Sequence, residues 1–227
     1  LKSKWIYILA IIGASTLLAD GIITPAITVT TAIEGLEGIS PDLPVIPITL
    51  AIITIIFFVQ RFGTESIGKG FGVFMLLWFL LLGVVGAISI TSYPMILKAF
   101  NPYYAIVLLA QSPEWFLILG AVFLCTTGAE ALYSDLGHCG RKNITISWAF
   151  VKTMLILNYL GQGAWVLNHV QTASAVNPFF AIMPQNMLFF AIIMATGAAI
   201  VASQALISGT FSILSEAMNL HFWPRMR

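Results

Sequence analysis

The chain has 227 residues, 59% of them hydrophobic and only 8% charged, with a formal net charge of +1 and a mean hydropathy of +0.97. Soluble domains carry about 25% charged residues because their surface must be wetted, so most of this surface must face lipid. There is no basic run interleaved with aromatics, which excludes a nucleic-acid partner, and two cysteines, Cys125 and Cys139, make neither a disulfide framework nor a zinc site. The chain opens at Leu1 with an apolar stretch too long for a signal peptide. It is therefore expected to be an internal piece, flanked by further helices of the same polypeptide.

Six long apolar segments follow in order, at 5–33, 47–59, 71–90, 113–136, 144–167 and 187–214. In lipid every backbone N–H and C=O must be paired within the segment, so each is expected to be a transmembrane helix. The second is short and carries Pro44 and Pro47 at its start, where proline is tolerated. Two shorter pieces, 101–109 and 177–183, each open Asn-Pro, a turn-and-start signal. They are expected to be short helices across the extracellular mouth. The whole is an all-α integral membrane domain, residues 1–227.

Orientation follows from the basic residues. If the six helices alternate, Lys2, Lys4, Arg61, Lys69, Arg141, Lys142, Lys152, Arg225 and Arg227 all fall on one side, and only Lys98 on the other. Both ends of the chain are then cytoplasmic.

Carboxylates inside lipid cost about 2.5–3.5 kcal/mol even on a lenient scale, so Asp20, Glu130 and Glu216 need a reason to be there. In the first segment, ADGIITPAITVTTAIEGL at residues 19–36, a helical turn of 100° per residue places Asp20, Thr24, Thr28, Thr31 and Glu34 within an arc of about 120°. The stripe climbs about 20 Å. Pro25 lies within it, and having no N–H it leaves the Gly21 carbonyl without its usual donor. Hydroxyls and a freed carbonyl are hard, neutral oxygens, which can replace the water around an alkali cation. The plainer reading is that threonines bond back to their own helix and only aid packing.

The fourth segment, FLCTTGAEALYSDLGH at residues 123–138, puts Thr127, Glu130, Ser134 and His138 on one face, with Gly128 weakening the helix. An interruption there would turn carbonyls toward a cation, and Glu130 is the candidate proton carrier; His138 reads as an interfacial residue. In the sixth segment Gln204, Ser208, Ser212 and Ser215 form a weaker stripe beside Glu216, which packing alone can also explain. Asn158, Tyr159, Gln162 and Trp165 on the fifth read as packing or gate residues, and His169 and His221 as surface residues. No Ser-His-Asp order at a common depth, HExxH, Walker loop or GxGxxG after a strand is present, so the chain is not read as an enzyme and needs no cofactor.

The residues themselves are familiar. ADGIITPAITVTTAIEGL resembles the GDGxxTPAxSVxxAxEGL segment of the Kup/HAK/KT potassium-uptake family, TGAEALYSDLGHCGRKNI its GxEALxADxGHF segment, and VASQALISGTFSI its IASQAxISGxFS segment, in the same order along the chain. The resemblance implies an inverted-repeat bundle of the LeuT or amino acid–polyamine–organocation type, of which this chain would hold helices three to eight. It implies potassium uptake across the cell membrane by secondary active transport, as potassium/proton symport. By position the potassium ligands would be Thr24, Thr28 and Thr127 with Asp20, and the proton-coupling or gating carboxylates Glu130 and Glu34. Ala19, Thr28, Ser134 and Cys139 depart from the family pattern without removing an oxygen. Expected partners are K+ and H+ as substrates, the lipid bilayer, the remainder of the polypeptide and, as an open arrangement, a second copy in a homodimer. A channel, an amino-acid carrier on the same fold and a non-transporting membrane subunit are the competing readings.

Overall fold

A computed structural model describes residues 4–38, 44–60, 65–125, 141–172 and 176–219, and those residues are helical apart from short connections. In chain order the helices are α1 (Lys4–Glu34), α2 (Val45–Gln60), α3 (Glu65–Ser92), α4 (Pro102–Gln111), α5 (Trp115–Leu124), α6 (Arg141–Asn168), α7 (Pro178–Ala181) and α8 (Leu188–Asn219), with 3-10 turns at Gly35–Gly38, Pro94–Phe100 and Gln185–Met187. Among the described residues four stretches are long and apolar enough to cross a membrane: Ile11–Glu34, Gly70–Ser92, Lys142–Asn168 and Gln185–Asn219. The second apolar segment forms the 16 residues of α2. The fourth forms the ten residues of α5, and from residue 126 on that segment lies outside the described residues.

The two Asn-Pro signals act as the sequence suggests. Asn101 Oδ1 accepts from the Tyr103 N–H at 3.0 Å and Asn177 Oδ1 from the Phe179 N–H at 3.0 Å. Each asparagine thereby caps a helix whose first residue is proline, filling one of the orphan donors of the first turn. The 3-10 turn from Pro94 to Phe100 had no such signal and was not expected.

The chain divides into two compact units, and α3 runs through both. The first holds α1, α2, the start of α3 and α8. Here α1 lies along α8 and α2, and α2 also touches α8. The buried face of α1 consists of Gly21, Pro25, Val29, Ala32 and Ile33, at the spacings that place residues on one side of a helix. On α8 the buried set is rich in small residues: Ala191, Ala195, Ala198, Ala199, Ser203 and Gly209. Lipid is as apolar as leucine, so helices there associate by close packing, and small residues let backbones approach. Away from these contacts large apolar side chains stand outward, among them Ile22 and Ile27 of α1 and Ile46 and Phe58 of α2, as expected of a surface bathed in hydrocarbon.

The second unit takes in the rest of α3 from Phe79, then α4, α5, α6 and α7. Within it α3 and α6 meet at a glycine crossing. A side-chain carbon on Gly161 of α6 would lie 2.6 Å from both Cα and O of Gly86 on α3, and one on Gly86 would strike the Leu157 carbonyl. Polar groups lock the same seam. Ser89 Oγ donates to the Gly161 carbonyl at 2.8 Å, Asn158 Nδ2 reaches the Leu82 carbonyl at 3.4 Å, and Gln162 Nε2 donates to Asn158 Oδ1 at 2.6 Å. Asn158 is buried, and it and Gln162 take part in this packing. Trp165 stacks on the exposed His169, ring centroids 4.7 Å apart, which places this histidine at the surface as expected.

The crossing predicts a sharp contrast between two glycines. Gly161→Ala forces one backbone off another, an overpacking that costs about 1–3 kcal/mol. Gly120→Ala on α5 meets nothing within 4 Å. In thermal melts of the purified full-length protein, Gly161→Ala should lower Tm by several degrees and Gly120→Ala should leave it unchanged.

Candidate ion site on the first helix

Pro25 does not break α1, which runs without interruption from Lys4 to Glu34. A proline inside a helix ordinarily kinks or breaks it, and this one leaves the span whole. The ring is buried on the face that packs against the neighbouring helices, and such packing is what lets a membrane helix carry proline without unwinding. What the proline does remove is the N–H that would have met the Gly21 carbonyl.

Around this point the side chains make two short hydrogen bonds. Thr24 Oγ1 donates to Asp20 Oδ1 at 2.6 Å, and one turn on Thr28 Oγ1 donates to the Thr24 carbonyl at 2.6 Å, with the Pro25 carbonyl at 3.3 Å. Asp20, Thr24 and Thr28 are all half-buried. They flank the packed ridge of Gly21, Pro25 and Val29, each one residue away from it, or about 100° around the helix. Each threonine has given its proton to an oxygen of its own helix and keeps its lone pairs.

The structure brings Asp20, Thr24 and Thr28 together. Thr31 and Glu34, further along the stripe, are exposed, and Glu34 lies about 9 Å along the axis from Thr28. Thr127 and Glu130 lie outside the described residues, as do Ser134 and His138. On α8, Gln204 is buried and Ser208 half-buried, while Ser212, Ser215 and Glu216 are exposed, so only the start of that stripe faces the packed interior. Gln204 Nε2 donates to the Ile56 carbonyl of α2 at 3.2 Å, whereas Gln204 Oε1 and Thr49 Oγ1 are buried with no hydrogen-bond partner among the described residues.

Two polar residues beside these helices had not been singled out from sequence. Thr49 of α2 sits in an otherwise apolar run, and Thr210 of α8 lies off the serine stripe, directly against Gly21. The one sequence signal for Thr210 was the glycine opposite, since a residue without a side chain on a packed face implies that something else occupies the space.

An all-α chain with several membrane-length helices is of the integral membrane class, and one of those helices carries a cluster of hard oxygens. Residues 1–227 match the K+ potassium transporter integral membrane domain, and the chain belongs to that family, as the three sequence motifs indicate. Among curated relatives, the Flavobacterium psychrophilum protein named "Probable potassium transport system protein Kup" is 52% identical over 232 residues, covering 100% of this chain and 36% of its own length. A "Probable potassium transport system protein Kup 1" of Lactococcus lactis is 53% identical over 237 residues, covering 99% of this chain and 35% of its own. That of Cytophaga hutchinsonii, also named Kup, is 54% identical over 223 residues, covering 96% and 34%. The chain therefore spans about a third of the length of the relatives it matches. No solved structure matches it.

Geometry separates the two threonines by what each holds in place. Thr24→Val leaves Asp20 without its hydroxyl donor, and a hydrogen bond to a charged group contributes about 1.5–3 kcal/mol. Thr28→Val removes only a bond to a carbonyl that the helix already satisfies and keeps the β-branched shape. Denaturation of the full-length protein in detergent should show Thr24→Val clearly destabilised and Thr28→Val within about 0.5 kcal/mol of the parent.

Proposed function

We propose that this chain is the central part of a secondary active potassium transporter of the cell membrane, and that it carries K+ in symport with H+. The observation that carries the proposal is the cluster on α1. A carboxylate, two hydroxyls and a carbonyl deprived of its donor lie within two turns of a membrane-length helix. Potassium is weakly hydrated and large, and neutral oxygens replace its water without the strong field that a harder ion would need. A neighbouring carboxylate balances the charge at a depth where an unpaired ion would be costly.

In this reading Thr24 and Thr28 with Asp20 supply ligands from α1 and Thr127 supplies one from the segment after α5. Glu130 carries the proton and Glu34 acts as a coupling or gating carboxylate. Relatives named as potassium transport system proteins support the substrate. The bundle is of the LeuT or amino acid–polyamine–organocation type, with α1 as its third helix and α8 as its eighth, and α4 and α7 lie across its extracellular mouth. Both ends of the chain are cytoplasmic, in keeping with the nine-to-one division of basic residues. Lys152 lying over the Trp148 ring at 5.3 Å suits that orientation, because paired basic and aromatic groups favour the headgroup boundary.

Rubidium uptake into proteoliposomes holding the full-length protein tests the ligand set and the coupling separately. Thr28→Val should raise KM for rubidium about tenfold, the equivalent of one lost ligand worth about 1.4 kcal/mol. An unchanged KM would remove Thr28 from the site. Glu130→Gln should abolish accumulation driven by a pH gradient while leaving downhill exchange measurable. Undiminished accumulation would rule out Glu130 as the proton carrier.

A further inference from the structure

In the second unit a tyrosine closes the end of a short helix. Tyr159 Oη of α6 donates to the Cys125 carbonyl at 2.9 Å, and Cys125 is the cap residue that follows α5. A helix end leaves its last carbonyls without donors of their own, and in lipid each such group costs several kcal/mol unless a partner meets it. Here the partner comes from another helix. None of the ten residues of α5 is buried, so close packing does not by itself fix where this helix stops. The Tyr159 ring is exposed, so the residue contributes through its hydroxyl rather than by filling space. Tyrosine ordinarily lies at the headgroup boundary, where that hydroxyl is wetted. Tyr159 instead stands about 14 Å from the Asn168 end of the span Lys142–Asn168, and Cys125 lies about 15 Å along α5 from Trp115. At that depth the hydroxyl needs a protein oxygen, and it meets the one at the end of α5.

From this bond we propose that Tyr159 is a positioning residue for potassium transport: by holding the Cys125 carbonyl it fixes the end of α5, from which the chain reaches Thr127 two residues later. The inference rests on the reading of Thr127 as a potassium ligand and adds the side chain that steadies the backbone leading to it. A binding site works only while its groups stay within about 0.5 Å of the productive geometry. A ligand that follows a helix end so closely is no better placed than that end. Tyr159 touches no ion in this account and acts through the main chain at Cys125. The competing account is that the tyrosine only satisfies its own hydroxyl, with no effect beyond the stability of the α5–α6 contact.

A double-mutant cycle separates the two accounts. In the full-length transporter reconstituted in proteoliposomes, Tyr159→Phe keeps the ring and removes the hydroxyl. It should raise KM for rubidium about three- to fivefold, with a maximal rate within about twofold of the parent. Thr127→Val should raise KM about tenfold, and the double variant should be no worse than Thr127→Val alone. A residue that acts through a ligand has nothing left to act on once that ligand is gone. A Tyr159→Phe protein with the parent KM overturns the proposal, and so does a double variant in which the two effects multiply. Should the phenylalanine variant not fold, Tyr159→Leu takes its place in the same cycle, with the same two overturning results. Thr127→Val by itself tells the two levels apart. If it raises KM while Tyr159→Phe is silent, only the role of Tyr159 fails; if it leaves KM unchanged, Thr127 is no ligand and the proposal falls with that reading.

Discussion

Hydrocarbon offers no partner for a hydroxyl, an amide or a carbonyl, and the polar groups of this chain are arranged under that constraint. Thr28, Thr30, Thr54, Thr153 and Thr210 each donate to the carbonyl four residues earlier. The bond costs the helix little, because that carbonyl can accept twice. It leaves an oxygen whose proton is already committed. Such an oxygen is harmless when it faces lipid and becomes a ligand when it faces a cavity. The potassium site proposed above therefore needs no special side-chain geometry, only a particular direction for the helix face that carries it.

Direction is set by close approach. Where α3 and α6 cross, Gly86 and Gly161 bring backbone against backbone, and the polar side chains nearby reach main-chain oxygens rather than one another's charges. Where α1 meets α8, Gly21 receives a threonine instead, and the buried surface of α8 is largely alanine, serine and glycine. Without a hydrophobic force between helices, these small-residue contacts and a few interhelical hydrogen bonds, each worth about 0.6 kcal/mol on average, decide which faces turn inward. Gln204 shows the same economy, since its amide nitrogen ties α8 to the Ile56 carbonyl of α2.

Helix positions were the most legible feature of the sequence. The first apolar segment, 5–33, became α1 at Lys4–Glu34, the fifth became α6 at Arg141–Asn168, and both Asn-Pro signals became capped short helices. Hydropathy and capping are local, and local rules read well. The stripe on α1 was legible only in part. Asp20, Thr24 and Thr28 gather as the 100° spacing requires, but the packed ridge is centred about 120° away from the middle of that stripe, leaving Thr31 and Glu34 exposed. A one-dimensional pattern says which residues share a face; it does not say against which partner that face will lie. For the same reason Thr210 escaped notice. On α8 it belongs to no stripe of its own, and it matters through a glycine 189 positions earlier.

The position of Pro25 makes this arrangement more than a coincidence of spacing. A carbonyl without its donor cannot be left against acyl chains, since an unsatisfied polar group in lipid costs several kcal/mol. Had proline stood at Ile23 or Ile27, both of which point outward, the freed carbonyl would have faced an apolar surface. Placed at 25 it frees the carbonyl of Gly21, and both residues lie on the ridge that α8 covers. The residue α8 presents there is Thr210, whose hydroxyl donates to the Leu206 carbonyl of its own helix.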